Sequence, residues 1–382
     1  MRTIKAAVIG AGFIGPAHVE ALRRLGFVEV AALVDSDKAR LEQKAAALSI
    51  PRAYDDYRRV LDDKAIEVVH NCSPNNLHFE INTAILQAGK HCVSEKPLAI
   101  NSKESRGLVA LAEKAGLVNA INFNYRFYPL SQQARAMCEA GEVGDIYAVH
   151  GGYLQDWLYW DTDYSWRLDP KISGESCAVA DIGSHWCDLM QFITGRTITE
   201  VMADLQTTRQ VRKRPKATLE AFAGKLLKPE DFEEVKITTD DYADVLLRLD
   251  NGARGMFNVS QLAAGRKNRL HYEIDGSKCA LSGDLERPNE LWLGYRDKPN
   301  EVLIKDPSLL KEAVRAYAHY PGGHPEGYPD GPKNLFRNAY LKIMGDPGAL
   351  PFPTFADGHR AVAIVDAILA SSRARQWTKV AY

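Results

Sequence analysis

The feature that most restricts the fold of this chain is a glycine pattern near its start, in the sequence IKAAVIGAGFIG of residues 4–15. A short apolar run ends at Gly10, and Gly12 and Gly15 follow at the spacing G-x-G-x-x-G. Such a run suits a buried strand, and the glycines allow a tight turn, close approach of backbone to a bound group and close helix packing. We therefore predict a strand, a turn and a helix over about 16–25, whose free amide groups face a phosphate.

A second apolar run, residues 28–34, ends in Asp35, about twenty residues after the last glycine of the pattern, as a dinucleotide-binding fingerprint requires. A carboxylate at this place accepts hydrogen bonds from ribose hydroxyls and repels a 2′-phosphate. We therefore expect NAD as the cofactor, with NADP the lesser candidate. The alternative is an ordinary glycine-rich turn in an α/β domain, with Asp35 as an acidic loop residue.

Composition limits the class of protein. The chain has 382 residues with a formal net charge of -1, which favours two globular domains and gives no electrostatic reason to expect nucleic acid or an anionic membrane as partner. No apolar run is long enough to span a bilayer, and the early first strand leaves no room for a signal peptide. Six scattered cysteines without a C-x-x-C pair favour a reduced, cytoplasmic protein.

Strand and helix patterns alternate up to about residue 124, which predicts an α/β fold with a doubly wound parallel (Rossmann) sheet. Polar turns at 73–75, 95–97 and 124–126 follow predicted strands, and the carboxyl ends of such strands share the edge at which ligands bind. Later stretches alternate with period two, which predicts a large, mostly antiparallel open sheet. We divide the chain into an NAD-binding domain, 1–124, and an α+β domain for substrate and oligomerisation, 125–382, whose last helix could return to the first domain.

Basic residues crowd positions 209–216, inside a segment over about 206–236 that we interpret as an insertion. A run of like charges is usually a solvated loop, and a contact between subunits is the alternative.

Two groups of side chains could carry chemistry. Lys96 follows a predicted strand, where its amine could hydrogen-bond a substrate hydroxyl and stabilise an alkoxide; it could equally be a surface lysine in a strand-end turn. Asp181 and His185 share one face of a helix predicted over 181–194, so that the carboxylate could orient the imidazole as a base. The alternative is a helix cap and an incidental histidine.

No other catalytic pattern competes with this set. The chain has no G-x-S-x-G, no H-E-x-x-H and no Walker lysine, and His319, His324 and Glu326 lack a supporting metal-ligand spacing, so we expect no metal. Aromatic residues crowd 153–166, and rings with polar edges suit the face of a sugar, although such clusters often only pack. A lysine, a histidine and an aspartate beside a nicotinamide suffice for alcohol oxidation.

Together these motifs resemble the glucose-fructose oxidoreductase, inositol dehydrogenase and rhizopine catabolism family, called Gfo/Idh/MocA. The resemblance covers nearly the whole chain and is most specific in EKP at 95–97 and DIGSH at 181–185. Within the family, YLQDW at 153–157 and SWR at 165–167 are similar to the levoglucosan dehydrogenase and sugar 3-dehydrogenase members. The segment over 206–236 departs from the family pattern, which could alter the mouth of the pocket or the oligomer.

The resemblance implies NAD-dependent oxidation of a hydroxyl of a cyclic sugar, anhydrosugar, glycoside or inositol to a ketone. It implies Lys96, Asp181 and His185 as the catalytic residues, with His185 as the base, and a cis bond between Lys96 and Pro97. It also implies a homodimer or homotetramer formed through the C-terminal sheet. The expected cofactor contacts are Gly10, Gly12, Phe13, Ile14, Asp35, Ser73, Pro74, Asn75, His78, Glu95, Lys96, Asn124, Arg126, Trp166 and Arg167. The expected substrate contacts are Lys96, Asn124, Tyr153, Gln155, Arg167, Asp181, His185 and His324.

Two other functions stay open at this point. One is redox-assisted elimination or hydrolysis of a glycoside, in which transient oxidation acidifies a neighbouring C–H bond while NAD is held and regenerated. The other is a non-catalytic protein that senses nucleotides on the same fold.

Overall fold

The computed structural model describes residues 2–216 and 231–382. The chain divides into two compact units, a first unit of residues 1–122 with 329–362, and a second unit of residues 123–328 with 363–382. The sequence-based division had one boundary near residue 124, whereas the structure also assigns residues 329–362 to the first unit. The roles given to the two domains stay predictions.

The described residues form ten α-helices and seventeen strands. The helices are α1 (Ile14–Arg23), α2 (Lys38–Ala47), α3 (Arg58–Asp62), α4 (His78–Gln87), α5 (Ser102–Ala115), α6 (Pro129–Glu139), α7 (Pro170–Ser173), α8 (Ser184–Thr194), α9 (Asp330–Ile343) and α10 (Phe355–Ala374). The strands are β1 (Ile4–Ile9), β2 (Val28–Val34), β3 (Ala53–Tyr54), β4 (Val68–Asn71), β5 (His91–Ser94), β6 (Asn119–Ile121), β7 (Ile146–Leu154), β8 (Ile198–Gln206), β9 (Val211–Pro215), β10 (Phe232–Lys236), β11 (Tyr242–Leu249), β12 (Arg254–Ser260), β13 (Arg269–Gly276), β14 (Ala280–Asp284), β15 (Glu290–Gly294), β16 (Glu301–Ile304) and β17 (Thr378–Lys379).

The first unit is built on a six-stranded sheet in the order β3-β2-β1-β4-β5-β6. Every neighbouring pair is parallel, which confirms the predicted doubly wound sheet. The strand order reverses beside β1, so the carboxyl ends of β1 and β4 border the place where such sheets bind ligands. Because helices cover both faces of such a sheet, β1 and β4 are almost wholly buried, and this explains their unbroken apolar runs.

The second unit is built on a nine-stranded sheet in the order β16-β15-β14-β13-β7-β12-β11-β8-β17. All its pairs are antiparallel except β7 with β12, which confirms the predicted mostly antiparallel sheet. Buried side chains alternate along β11 and β13, so one face builds the core, to which Trp186 and Leu189 of α8 also belong. The other face carries exposed side chains.

The basic run at 209–216 is not the solvated loop that we expected. Residues 211–215 form β9, which pairs with β10 in a separate antiparallel hairpin, and the side chain of Arg212 is fully buried. The run looked solvated because its charges are adjacent in sequence, but alternation along a strand sends them to opposite faces. Residues 217–230, which belong to the proposed insertion, lie outside the described residues.

The helix predicted over 181–194 also differs in its first turn. Residues 179–183 form a π-helical turn, and α8 continues from it at Ser184. Such single wide turns often occur at functional sites, because they change the direction of a side chain without ending the helix.

No helix within the described ranges has the length and apolar character needed to cross a membrane. All six cysteines are free thiols.

Candidate active site

The three glycines of the first turn have different structural causes. Gly10 has φ +100°, and a Cβ on it would lie 2.4 Å from the carbonyl oxygen of Cys72. A Cβ on Gly15 would lie 1.9 Å from the carbonyl oxygen of Gly10, whereas one on Gly12 would meet nothing within 4 Å. The protein's own packing therefore requires Gly10 and Gly15, while Gly12 borders open space, at the position where a dinucleotide-binding turn receives the pyrophosphate.

The start of α1 can hold an anion. Phe13 occupies the N-cap position, where its side chain offers no oxygen to accept a hydrogen bond, and the first turn from Ile14 contains no acidic residue. The first amide groups of a helix need acceptors from outside the helix, and the helix dipole favours a negative charge there. The Phe13 ring is largely exposed beside this turn.

Asp35 lies directly after β2 and is buried. Its carboxylate accepts hydrogen bonds from the amide of Ala11 at 2.8 Å and the amide of Asp37 at 2.9 Å, and from the guanidinium of Arg40 at 2.6 and 3.2 Å. Burial raises the pKa of Asp35, but the hydrogen bonds from Arg40 and the two amides outweigh burial, so the net pKa is lowered. The carboxylate is thus kept ionised and tied to the glycine turn. The sequence analysis did not predict this contact of Arg40. The only signal available was its place five residues after Asp35.

The turns that follow β4 and β5 are joined by His78, which is fully buried. Its Nδ1 lies 2.6 Å from the carbonyl oxygen of Pro97, and its Nε2 lies 2.9 Å from that of Ser73. Ser73 Oγ in turn donates to Asn71 at 2.7 Å, and Asn75 opens a short 3₁₀ turn directly after Pro74. His78 therefore links the turn at 73–75 to the turn at 95–97, and both turns contain predicted cofactor contacts.

Glu95 is buried at the end of β5, and its contacts are strongly polar. Oε1 accepts a hydrogen bond from Nδ2 of Asn122 and lies 2.8 Å from Nε2 of His18, which must carry a proton because a carboxylate only accepts. Burial raises the pKa of Glu95, but the hydrogen bond and charge of His18 and the Asn122 amide outweigh it and lower the pKa to about 2. Oε2 accepts from the amide of Lys96 at 3.2 Å, so this ionised carboxylate anchors the backbone of Lys96.

The Glu95 contacts continue into the interior of the first unit. Nδ1 of His18 lies 2.9 Å from Nδ1 of His70, and Nε2 of His70 lies 2.9 Å from the hydroxyl of Tyr340 in α9. These three side chains are fully buried. The chain of contacts ties α1, β4 and α9 to the segment with Lys96, whose bond to Pro97 is cis, as expected. His70 and Tyr340 have no motif and were not foreseen.

In the second unit, His185 lies in an aromatic enclosure at the start of α8. Its ring centroid is 4.6 Å from that of Tyr125, 5.7 Å from Phe123 and 6.3 Å from Tyr153. Only 8% of the residue is exposed. These three aromatic rings pack against the imidazole, and little of it is accessible to water.

Asp181 lies in the π-helical turn that precedes His185. Its Oδ1 is 3.5 Å from Nε of Arg167, and its Oδ2 accepts a hydrogen bond from Nε2 of Gln261 at 3.3 Å. The structure thus brings together the predicted residues Arg167 and Asp181. Gln261 follows β12 and gave no signal in the sequence.

The predicted residues Tyr153 and Gln155 belong to a second polar cluster of this unit, centred on Asn268. The hydroxyl of Tyr153 and Nε2 of Gln155 both donate to Oδ1 of Asn268, at 2.5 and 2.9 Å, and Nδ2 of Asn268 donates to the hydroxyl of Tyr125 at 3.1 Å. The indole of Trp157 donates to Gln155 at 2.8 Å. Burial and the neighbouring Tyr125 raise the pKa of Tyr153 well above its usual value, so its hydroxyl stays protonated. Asn268 was missed.

The remaining predicted residues have varied surroundings. Asn124 is buried, and the guanidinium of Arg126 forms a two-pronged ion pair with buried Asp188 of α8. The guanidinium of Arg167 lies 4.5 Å from the ring centroid of Trp166.

His324 is exposed, with Nδ1 3.3 Å from the carbonyl oxygen of Gly322. Its own carbonyl accepts a hydrogen bond at 2.8 Å from Nζ of Lys305, which is buried and paired with Glu326. The backbone beside His324 is thus bound to a buried ion pair.

Comparison with known proteins agrees with this architecture. Residues 4–123 match the model of an oxidoreductase family with an NAD-binding Rossmann fold, and residues 131–282 match the GFO/IDH/MocA C-terminal domain. Levoglucosan dehydrogenase of Pseudarthrobacter phenanthrenivorans is 29% identical over 100% of this chain and 99% of its own length.

Solved structures are similar over the full length. Levoglucosan dehydrogenase in complex with NADH and levoglucosan has a TM-score of 0.89 at 27% identity, with 100% of each chain covered. An oxidoreductase domain protein from Kribbella flavida has a TM-score of 0.89 at 32% identity, with 100% of each chain covered.

The fold and these matches define an oxidoreductase with an NAD-binding Rossmann domain. The chain belongs to the GFO/IDH/MocA family.

Proposed function

We propose that this protein oxidises a hydroxyl group of a cyclic sugar, anhydrosugar, glycoside or inositol to a ketone, with NAD as the acceptor. The observation that carries the proposal is the surroundings of His185 and Asp181 in the second unit. An imidazole is enclosed by three aromatic rings, and four residues before it a carboxylate contacts Arg167 and Gln261.

The residues of the chain have separate tasks in this reaction. His185 accepts the hydroxyl proton. The negative charge of Asp181 stabilises the imidazolium that results. Lys96 supports the alkoxide, and Glu95 anchors the backbone of Lys96. Gln155 and Arg167 contact the other hydroxyls of the ring.

The cofactor fits the residues of the first unit. The amides of the turn 10–15 would hold its pyrophosphate, and Asp35 would accept hydrogen bonds from its ribose. When bound, NAD supplies the hydride acceptor. The relative of known structure that was solved with NADH and levoglucosan supports both ligand classes.

An absorbance screen for NADH at 340 nm tests the proposal, with levoglucosan, monosaccharides, inositols and glycosides offered singly. We expect NADH to form with at least one compound, and kcat/KM to be higher with NAD than with NADP because Asp35 repels a 2′-phosphate. Release of an aglycone without net NADH would instead show glycoside elimination. No turnover with any compound would contradict the dehydrogenase and favour a regulator.

We also propose that the protein self-associates through the open face of its nine-stranded sheet. Met202, Leu246 and Met256 are 37%, 48% and 52% exposed, and they lie opposite one another on β8, β11 and β12. An apolar row of this kind on a sheet face is typical of an interface between subunits.

A further inference from the structure

The buried side chain of Arg212 contacts a loop that is distant from it in sequence. Its Nη1 lies 2.9 Å from the carbonyl oxygens of Leu158 and Trp160 and 3.2 Å from that of Asp163. All three carbonyls belong to residues 155–165, which we call the aromatic loop because it carries Trp157, Tyr159, Trp160 and Tyr164. One guanidinium nitrogen therefore holds three points of this loop.

The neighbours of Arg212 on β9 follow the same loop. The amide of Lys213 donates to the carbonyl of Asp161 at 2.8 Å, and the guanidinium of Arg214 lies 5.9 Å from the ring centroid of Tyr164. The loop is thus held from the same strand at successive residues.

Apolar contacts also support the aromatic loop. Leu158 is fully buried and packs in a cluster with Leu168, Cys177 and Ile237, and Val235 of β10 packs against this cluster. Both strands of the β9–β10 hairpin therefore contribute to the position of the loop, β9 through polar atoms and β10 through an apolar side chain.

Arg212 also links the loop to the turn that carries Asp181. Its Nη2 lies 3.6 Å from Oδ2 of Asp241, and both side chains are buried. The adjacent Asp240 accepts hydrogen bonds from the amides of Cys177 at 3.0 Å and Val179 at 2.8 Å, where the π-helical turn begins. Two consecutive carboxylates thus hold the aromatic loop and the Asp181 turn in a fixed relation.

This arrangement has a functional consequence. A loop without helix or strand must lose conformational freedom before it can bind a ligand, and ordering it in advance removes that cost from binding. Trp160 is 61% exposed, so its ring can face a ligand. The aromatic loop begins at Gln155, two residues after Tyr153, and we expect both side chains to contact the sugar.

We propose that Arg212 is a positioning residue for the substrate, which holds the aromatic loop in the conformation that receives the face of a sugar ring. The proposal rests on the proposed function, because it assigns the aromatic loop to the sugar of that reaction. It gives the hairpin of β9 and β10 a role in substrate selection rather than in the cofactor site.

The test compares Arg212→Ala and Arg212→Lys with the control Lys236→Ala, at an exposed position of β10 in the same hairpin. Hydrogen exchange is measured on peptides covering 155–165 and 4–15, and steady-state kinetics use levoglucosan or, if the wild type oxidises another panel compound faster, that compound. In Arg212→Ala we expect faster exchange only in 155–165 and a KM for the sugar raised by about tenfold, with KM for NAD and kcat within about threefold. Arg212→Lys should raise the sugar KM less, and Lys236→Ala should match the wild type.

Unchanged exchange in 155–165 of Arg212→Ala, or an equal rise of KM for the sugar and for NAD, would overturn the proposal. If Arg212→Ala does not fold, a raised sugar KM in Arg212→Lys supports it, and wild-type kinetics with wild-type exchange in Arg212→Lys overturn it. If the wild type oxidises no panel compound, the proposed function fails and the substrate role of Arg212 fails with it. Faster exchange confined to 155–165 would then still show that Arg212 holds the loop.

Discussion

The glycine turn of the first unit and the aromatic loop of the second are held in opposite ways. The turn is built from backbone: the amide of Gly10 donates to the carbonyl of Val34 at 2.7 Å, and Gly15 packs directly on the carbonyl of Gly10. The aromatic loop depends on side chains instead: Arg212, about fifty residues later in the sequence, contacts three of its carbonyls, and the buried side chain of Leu158 packs in an apolar cluster.

The difference predicts two kinds of response to substitution. At Gly10 and Gly15 the turn has no room for a side chain, because an added Cβ meets a backbone carbonyl. A loop that is held by side chains can become more mobile while the rest of the fold persists. A substitution there should therefore weaken the binding of one ligand, the sugar.

The largest effect is expected at Lys96, which tests whether the first unit supplies chemistry as well as cofactor binding. Lys96→Ala should lower kcat by about 10²–10⁴-fold, as removal of a group that assists proton transfer does, with the affinity for NADH within about threefold. Steady-state kinetics and NADH fluorescence titration measure both. Lys103→Ala, at an exposed position of α5, is the control, and near-normal turnover of Lys96→Ala would exclude Lys96 from the mechanism.

Gly15 and Gly12 separate packing from ligand binding inside the turn. Gly15→Ala should lower the free energy of unfolding by about 3 kcal/mol, because its Cβ would overlap the carbonyl of Gly10. Gly12→Ala should keep the wild-type melting temperature but weaken NADH binding by about tenfold, since its methyl group enters only the space for the ligand. Equal losses of stability in the two variants, or unimpaired NADH binding in Gly12→Ala, would show that this division is wrong.

Glu95 tests the buried contacts behind Lys96 through pH. Its folded pKa of about 2 is below the ordinary value of 4.5, so its contribution to stability is present above about pH 4.5 and is lost as the pH falls toward 2. Glu95→Gln should therefore be less stable than the wild type at pH 7, by up to about 3 kcal/mol, and the difference should shrink below pH 4.5. Urea unfolding at several pH values measures it, with exposed Glu113→Gln as control, and a difference independent of pH would show that Glu95 is not ionised in the folded protein.

The smallest effect on chemistry is expected at the open sheet face, which lies outside both regions of the comparison. Leu246→Lys should reduce the mass of the particle measured by light scattering, while kcat/KM per chain stays within about twofold, because a charge on the apolar row opposes its burial. Glu113→Lys, on the exposed side of α5, is the control. A particle mass equal to that of the wild type would place the interface elsewhere.

The first unit was largely predictable because its signals are local. The apolar run of β1, the glycine spacing and Asp35 lie within one strand–turn–helix–strand unit, and a parallel sheet brings the following strand ends to one edge. The family resemblance supplied the roles of Lys96, Asp181 and His185, and these roles stay predictions.

The partners of these residues were decided only by the tertiary structure. Asn268, Gln261 and Arg212 reach their places through strand pairing and through a hairpin, across sequence separations at which no periodicity or spacing carries information. Tyr340 is a further example, because it lies on α9, far from His70 in sequence, and yet its hydroxyl contacts His70. The sequence alone determined which backbone segments can approach a nucleotide, because backbone conformation depends on neighbouring residues. Only the folded chain decided which side chains hold the second unit's loops, because that depends on which distant strands lie side by side.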